Sequence, residues 1–260
     1  PITVIVMGCM AERLLESLKK DYPVVDYVVG TFAKSQFSKI ISEIEEKDCP
    51  SELDDKAAYK FASLSYEPGA FTAFVPIMHG CNNFCTYCIV PYVRGREVSR
   101  PVDEILKEID VLSSYGVKEI TLLGQNVNSY NSDGLKFPGL MKKIADHLAE
   151  TSSPIGWVRF MSSHPKDLSD ELIDVIAENP VLCRHIHLAV QHGSSKILKA
   201  MNRTYTREHY LDMVKRIKAR IPDVSLTTDL MVGFPGETEE DFEEVLSLMK
   251  EVRYETSFMY

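Results

Sequence analysis

The stretch His79-Gly80-Cys81-Asn82-Asn83-Phe84-Cys85-Thr86-Tyr87-Cys88 decides how the chain is read. Three cysteines fall within eight residues at C-x3-C-x2-C spacing, directly after the apolar run Phe74-Val75-Pro76-Ile77-Met78. Thiols at that density, in a sequence without secretory features, argue for a metal rather than for disulfides. A structural zinc site takes four ligands, usually from two paired knuckles, and no second pair follows downstream. Three thiolates on an iron–sulfur cubane leave one iron open, which suits a site that must bind something further. Iron–sulfur is the favoured reading. Zinc stays open, with His79 as the conceivable fourth donor against its plainer role as a loop residue.

Working outward, the chain has 260 residues, 45% hydrophobic and 26% charged, enough for one large or two modest cores. The net charge of −9 argues against nonspecific nucleic-acid binding. No apolar run reaches the length of a membrane span and no signal peptide is visible, so a cytoplasmic protein with no membrane partner is expected. Pro1 is not an initiator methionine, and both ends read as cut.

Residues 1–70 read as part of a smaller α/β, Rossmann-like domain plus a linker. Thr3–Val6 is a β-branched run, Leu14, Leu15 and Leu18 recur at helical spacing, Tyr27–Gly30 is a second strand, and a helix is expected around Gln36–Glu46. Strand, helix, strand, helix implies parallel pairing. Cys9 stands at the carboxyl end of the first strand, where open α/β sheets place ligands, although a buried structural cysteine is the plainer local reading. The polar stretch 47–70 reads as linker, and Cys49 receives no role.

From Phe71 the pattern is regular. Strands are expected at Phe74–Met78, Glu119–Leu123, Trp157–Met161, His185–Val190, Ser225–Val232 and Glu255–Met259. Helices are expected at Val102–Tyr115, Leu140–Glu150, Ser169–Glu178, Ser194–Met201, Thr206–Ile221 and Glu239–Val252. The fold class is α/β, with residues 71–260 forming a partial (β/α)6 barrel. Such folds do their chemistry at the carboxyl ends of the strands, and polar residues stand at the ends of the first five. These are the three cysteines; Gly124-Gln125-Asn126; Ser162-Ser163-His164; Gln191-His192-Gly193-Ser194; and Thr227-Thr228-Asp229 ahead of Val232-Gly233-Phe234-Pro235-Gly236-Glu237. Glycines admit close backbone approach, and Gln, Asn and Ser supply neutral hydrogen bonds. Taken singly, His164 and His192 read as ordinary loop histidines, since no nucleophile pairs with them.

Residues 71–260 resemble a radical S-adenosylmethionine (SAM) core. Cys81–Pro91 with Arg94-Gly95-Arg96-Glu97-Val98-Ser99-Arg100-Pro101 resembles the methylthiotransferase family. Leu122–Tyr130, Gln191–Ser194, Met201–Thr206 and Thr228–Thr238 are similar to its branch acting on dimethylallylated tRNA adenosine. The resemblance implies that Cys81, Cys85 and Cys88 hold a radical SAM [4Fe–4S] cluster. It also implies that Gly8-Cys9-Met10-Ala11-Glu12 supplies Cys9 to an auxiliary [4Fe–4S] cluster. By the same resemblance, Gly124, Gln125 and Asn126 meet the SAM amino group, Gln191 its ribose, and Val232, Gly233, Phe234 and Gly236 its adenine. Arg94, Arg96 and Arg203 are the implied substrate contacts. The implied partners are a tRNA anticodon stem-loop, a flavodoxin- or ferredoxin-like electron donor and a sulfur donor. The implied reaction adds a methylthio group to C2 of the modified adenosine beside the anticodon. Relatives acting on threonylcarbamoyladenosine or a ribosomal protein, and a non-catalytic zinc RNA-binding module, are the alternatives.

Two departures from the family pattern are expected to matter. The auxiliary cluster's first two cysteines should lie upstream of Pro1, and an RNA-binding TRAM domain beyond Tyr260. Without that domain, Arg94, Arg96, Arg100, Arg203 and Arg207 are the local cations left to face RNA. Lys215, Arg216, Lys218 and Arg220 read as a solvated helix face.

Overall fold

The computed structural model describes residues 2–46, 59–61 and 69–260, so Cys49 and most of the expected linker lie outside the described residues. The chain forms two compact units. One comprises Pro1–Leu64, His79–Asn82 and Cys88–Val98; the other comprises Ser65–Met78, Asn83–Tyr87 and Ser99–Tyr260. Pieces of the cysteine loop therefore count with each.

In the smaller unit, β1 (Ile5–Met7) runs parallel to β2 (Tyr27–Val29), with Ile5 opposite Tyr27 and Met7 opposite Val29. Parallel strands need a crossover, supplied here by α1 (Cys9–Arg13) and α2 (Leu15–Asp21). After β2 comes α3 (Phe37–Glu46), whose Ile40 packs with Val29 and Ala33 as a small core. The short helix α4 (Val90–Arg94) follows Cys88 and has proline in its first turn, where a missing N–H costs nothing.

The larger unit carries six parallel strands: β3 (Thr72–Pro76), β4 (Glu119–Leu123), β5 (Trp157–Phe160), β6 (His185–His187), β7 (Ser225–Leu230) and β8 (Thr256–Met259). They lie in sequence order as two three-stranded sheets, β3-β4-β5 and β6-β7-β8. Parallel bridges Val158–Leu182 and Ser163–Leu188 join the sheets across a splayed seam. The expected partial barrel is present. β6 ends earlier than the apolar run to Val190 suggested, because beyond His187 the chain is shared: Leu188 N donates to Thr227 O and Ala189 N to Ser163 O.

Helices α5 (Val102–Ser114), α6 (Phe137–Glu150), α7 (Asp170–Glu178), α8 (Ser195–Ala200), α9 (Arg207–Arg220) and α10 (Glu239–Val252) cover one side of the sheets. In β4 only Ile120 and Leu122 are fully buried against them, with Ile105, Ile109, Leu140 and Ile144 in the same core. Each such side chain contributes about 1.5–3 kcal/mol on burial. Alternation sends Phe74, Thr121, Arg159, His187, Thr227 and Asp229 to the other face. A parallel sheet covered on both faces reads as continuous apolar residues, so this alternation marks a polar second face, on which His187 and Thr227 are buried and Phe74 is exposed. Some helix starts are capped by side chains. Ser169 caps α7 through Leu172 N, and Thr238 and Asp241 form a reciprocal capping box on α10. Among the described residues no helix is long and apolar enough to cross a membrane.

Candidate functional site at the carboxyl ends of the strands

Gly80 begins the cysteine loop with φ +78°, and a Cβ there would lie 2.1 Å from the Arg96 carbonyl oxygen. Only glycine fits. Cys81 N donates to Gly95 O at 3.1 Å, and Asn82 and Glu97 clasp each other through three hydrogen bonds of 3.2–3.3 Å. The backbone on both sides of Cys81 is thereby pinned. His79 is buried, stacked on Tyr59 at 3.6 Å and 4°, and burial lowers its pKa to about 4. It is a neutral packing residue at pH 7. On the amino-terminal segment, Cys9 opens α1 after Gly8, whose φ of +113° an L side chain rarely adopts. Glu12 accepts a hydrogen bond from Thr31 N at 2.7 Å, and the Thr31 hydroxyl donates to Val93 O while lying 3.3 Å from the Glu12 carboxylate.

The middle of the cysteine loop docks on the residues after α8. Thr86 N donates to Met201 O at 3.2 Å and Thr86 Oγ1 to Ala200 O at 3.1 Å. Asn202 Nδ2 reaches Asn83 O at 3.3 Å and Phe84 O at 3.0 Å. Arg203 is buried at 8% exposure, with Nη1 donating to Cys85 Sγ at 3.4 Å, Nε to Tyr205 Oη at 2.8 Å and Nη2 to Ala189 O at 2.5 Å. Tyr205 Oη in turn donates to Val190 O at 2.8 Å. Burial holds the Tyr87 hydroxyl, which also meets Cys85, protonated far above the usual tyrosine range.

The loops after β4 and β5 are tied together. Asn126 Nδ2 donates to Asp167 Oδ2 at 2.8 Å while its buried Oδ1 has no protein partner among the described residues. A Cβ on Gly124 would meet Met78 Cγ at 2.4 Å, so this glycine serves packing as well as any ligand. His164 Nδ1 accepts from Lys166 N at 3.2 Å, and burial, helped by the Arg203 charge, lowers its pKa to about 2.

Gln191 is buried in the left-handed region at φ +72°, held by Gln191 N on Asp229 O at 2.9 Å and Met231 N on Gln191 O at 2.7 Å. Beyond β7, Phe234-Pro235-Gly236-Glu237 closes a turn through Glu237 N on Phe234 O at 2.9 Å, with proline then a positive-φ glycine at its centre, as a type II turn requires. The Glu237 carboxylate accepts from Phe234 N at 2.8 Å and lies 3.4 Å from Nε2 of fully buried His192. That lock rigidifies Gly233–Gly236. Val232 stays exposed beside it.

Arg94 is half-buried and Arg96 exposed. Arg100 and Arg207, expected to face RNA, need correction. Arg100 is buried against Glu108 and the Pro76 carbonyl, and Arg207 donates to Glu244 O at 2.6 Å and Ser247 Oγ at 2.9 Å. Both stabilise the fold instead of facing RNA. Arg216 and Arg220 pair with Asp170, Asp212 and Asp174. Sequence reading picked out Thr227 and Asp229 but not His187, whose Nδ1 lies 3.0 Å from Thr227 Oγ1 and whose Nε2 lies 3.4 Å from Asp229 Oδ2. Its only sequence signal is alternation, which puts these residues on the polar face of the sheet.

The donor chemistry fits an iron–sulfur cluster on one observation. Arg203 is a buried cation whose described partners include the Cys85 sulfur and no carboxylate, so a cluster held by Cys85 would supply the missing negative charge. Cys81, Cys85 and Cys88 are all free thiols. Among the described residues no three His, Cys, Asp or Glu side chains close into a cage for a single ion.

A partial parallel barrel, with Cys85 in the loop after β3 and held there by Arg203, defines an α/β class. The chain belongs to the Radical SAM superfamily, whose model matches residues 75–249. It is 52% identical over 99% of its length to the tRNA-2-methylthio-N(6)-dimethylallyladenosine synthase of Treponema pallidum, and 54% identical over 99% to that of Treponema denticola. The chain spans 60% of each of those relatives. Among solved structures, the radical S-adenosylmethionine methyltransferase TsrM of Kitasatospora setae shares the fold, with a TM-score of 0.78 at 14% identity, covering 99% of this chain and 55% of that one. Coproporphyrinogen III oxidase of Escherichia coli matches at a TM-score of 0.53 and 16% identity, over 75% of this chain and 45% of that one.

Proposed function

We propose that this chain carries the catalytic core of a tRNA methylthiotransferase that places a methylthio group on C2 of N6-dimethylallyladenosine beside the anticodon. The observation that supports it is 52–54% identity over 99% of the chain, spanning the Cys9 segment and the cysteine loop alike. In this reading 1–70 belongs to an amino-terminal domain and 71–260 is the core. Cys81, Cys85 and Cys88 hold a [4Fe–4S] cluster, and Cys9 is one ligand of an auxiliary cluster. When bound, the first cluster supplies the electron that cleaves the sulfonium bond of SAM.

The chain's own residues bind, orient and exclude water. Asn126 Oδ1, buried and without a protein partner, is an acceptor for the SAM amino group, with Gly124 and Gln125 beside it. Gln191 faces the ribose, and the locked turn at Val232, Gly233, Phe234 and Gly236 presents backbone to the adenine. The strained φ at Gln191 is held by two backbone hydrogen bonds, so this side chain is placed before ligand arrives. Neutral His164 adds no charge near Arg203. The polar face bearing half-buried Asp229, backed by His187 and Thr227, receives the base, which a single-stranded loop releases from its stack at modest cost. Arg94 and Arg96 meet phosphate. A flavodoxin- or ferredoxin-like donor, a sulfur donor and a cytoplasmic location complete the proposal.

The test is an anaerobic assay of the full-length protein with dimethylallylated tRNA, threonylcarbamoylated tRNA and ribosomal protein, read by mass spectrometry. Methylthio product on the dimethylallylated tRNA alone is expected. Product on either other substrate, or none, overturns the reading.

A further inference from the structure

A buried guanidinium is expensive unless something negative answers it. Arg203 is 8% exposed and all its described hydrogen bonds go to Tyr205 Oη, Ala189 O and Cys85 Sγ. The first two are neutral. Its guanidinium carbon also lies 5.4 Å from the centre of the Tyr205 ring, another neutral contact. Tyr205 is itself fixed by Val190 O, so Arg203 cannot swing away without abandoning two oxygens. It stands within a short run, Met201-Asn202-Arg203, whose neighbours clamp residues 83–86. A cation held this firmly against one sulfur does more than pack.

We infer that Arg203 is a positioning residue for the Cys85 thiolate that raises the reduction potential of the cluster bound there. This rests on the reading that Cys81, Cys85 and Cys88 hold iron and sulfide. Reduction adds one negative charge to the cluster, and hydrogen bonds to its sulfurs and nearby net charge set the potential. A cation donating to a ligand sulfur favours the reduced form, so its loss moves the midpoint to more negative values. The sequence suggested that Arg203 faces substrate; its geometry assigns it to the cluster ligand instead.

The experiment uses full-length protein with Cys9→Ala, so that only the cluster of interest assembles. Wild-type Arg203, Arg203→Met and Arg203→Lys are reconstituted anaerobically, checked by far-ultraviolet circular dichroism and by iron and sulfide content, then titrated with the reduced-cluster electron paramagnetic resonance signal as readout. The midpoint is expected to be most negative in Arg203→Met. It falls between that and wild type in Arg203→Lys, which keeps the charge but cannot span all three acceptors. Unchanged midpoints in both variants, with cluster content intact, overturn the inference. So does a loss of SAM affinity at unchanged midpoint, which would make Arg203 a carboxylate clamp. Protein with Arg203 intact that binds no iron and sulfide overturns the cluster reading itself, and is recognised before any titration begins.

Discussion

Asn128 and His164 hold each other by two hydrogen bonds of equal length: Asn128 Nδ2 donates to His164 O, and His164 N donates to Asn128 Oδ1, each at 2.9 Å. The pair ties the loop after β4 to the loop after β5, and both residues are buried. The site's neutral hydrogen-bonding groups thus stand on cross-braced loops.

Asn128→Ala leaves the buried His164 N–H without its partner, while His164 O keeps Asp167 N at 3.1 Å, and a loss of about 1–3 kcal/mol is expected. Urea unfolding measures it. A midpoint indistinguishable from wild type would show that the brace carries no stability.

Gly80→Ala combines an unfavourable φ with a Cβ placed on the Arg96 carbonyl. Backbone strain of this kind costs about 1–3 kcal/mol. Cys81 is displaced with it, so iron per chain after reconstitution should drop severalfold. Wild-type iron content would show that Cys81 does not depend on this turn.

The buried histidines set a pH dependence. His164, held near 2, and His79, near 4, stay neutral in the fold but take a proton in the unfolded chain below about 6.5. The unfolded state then binds more protons, so stability is complete above that pH and is lost as pH falls from 6.5 toward 4 for His79 and toward 2 for His164. Each histidine contributes a slope of up to about 1.4 kcal/mol per pH unit. His164→Asn, which keeps an acceptor for Lys166 N, should flatten the decline of the denaturation midpoint between pH 6.5 and 5. An equally steep decline in the variant would contradict this.

Arg94→Gln and Arg96→Gln should each weaken anticodon stem-loop binding across sequences and reduce the slope of log affinity against log salt by about 1. Fluorescence anisotropy over a salt series reads both. An unchanged slope removes these arginines from the RNA-facing set.

Much of the fold was legible because burial has a period. β4 and α10 fall on their expected residues, since Ile120 and Leu122 alternate and Val245, Leu248 and Val252 recur at helical spacing. The seam between β5 and β6 was not legible, because sharing of hydrogen bonds by residues 188–189 depends on three strands at once. The cysteine spacing announced a metal, but the clamp from Asn202 joins residues more than a hundred positions apart and leaves no local pattern. Arg100 and Arg203 looked like surface cations near a loop. Only the folded positions of Glu108 and Cys85 reveal them as buried.

The most direct measurement is iron and acid-labile sulfide per chain in anaerobically reconstituted protein carrying Cys9→Ala, compared with the same protein carrying Cys85→Ala as well. The account predicts about four of each per chain, with a broad visible absorption, and their loss on removing Cys85. Deoxyadenosine formation from SAM should disappear with them. One tetrahedral zinc without sulfide, or undiminished SAM cleavage in Cys85→Ala, would contradict it.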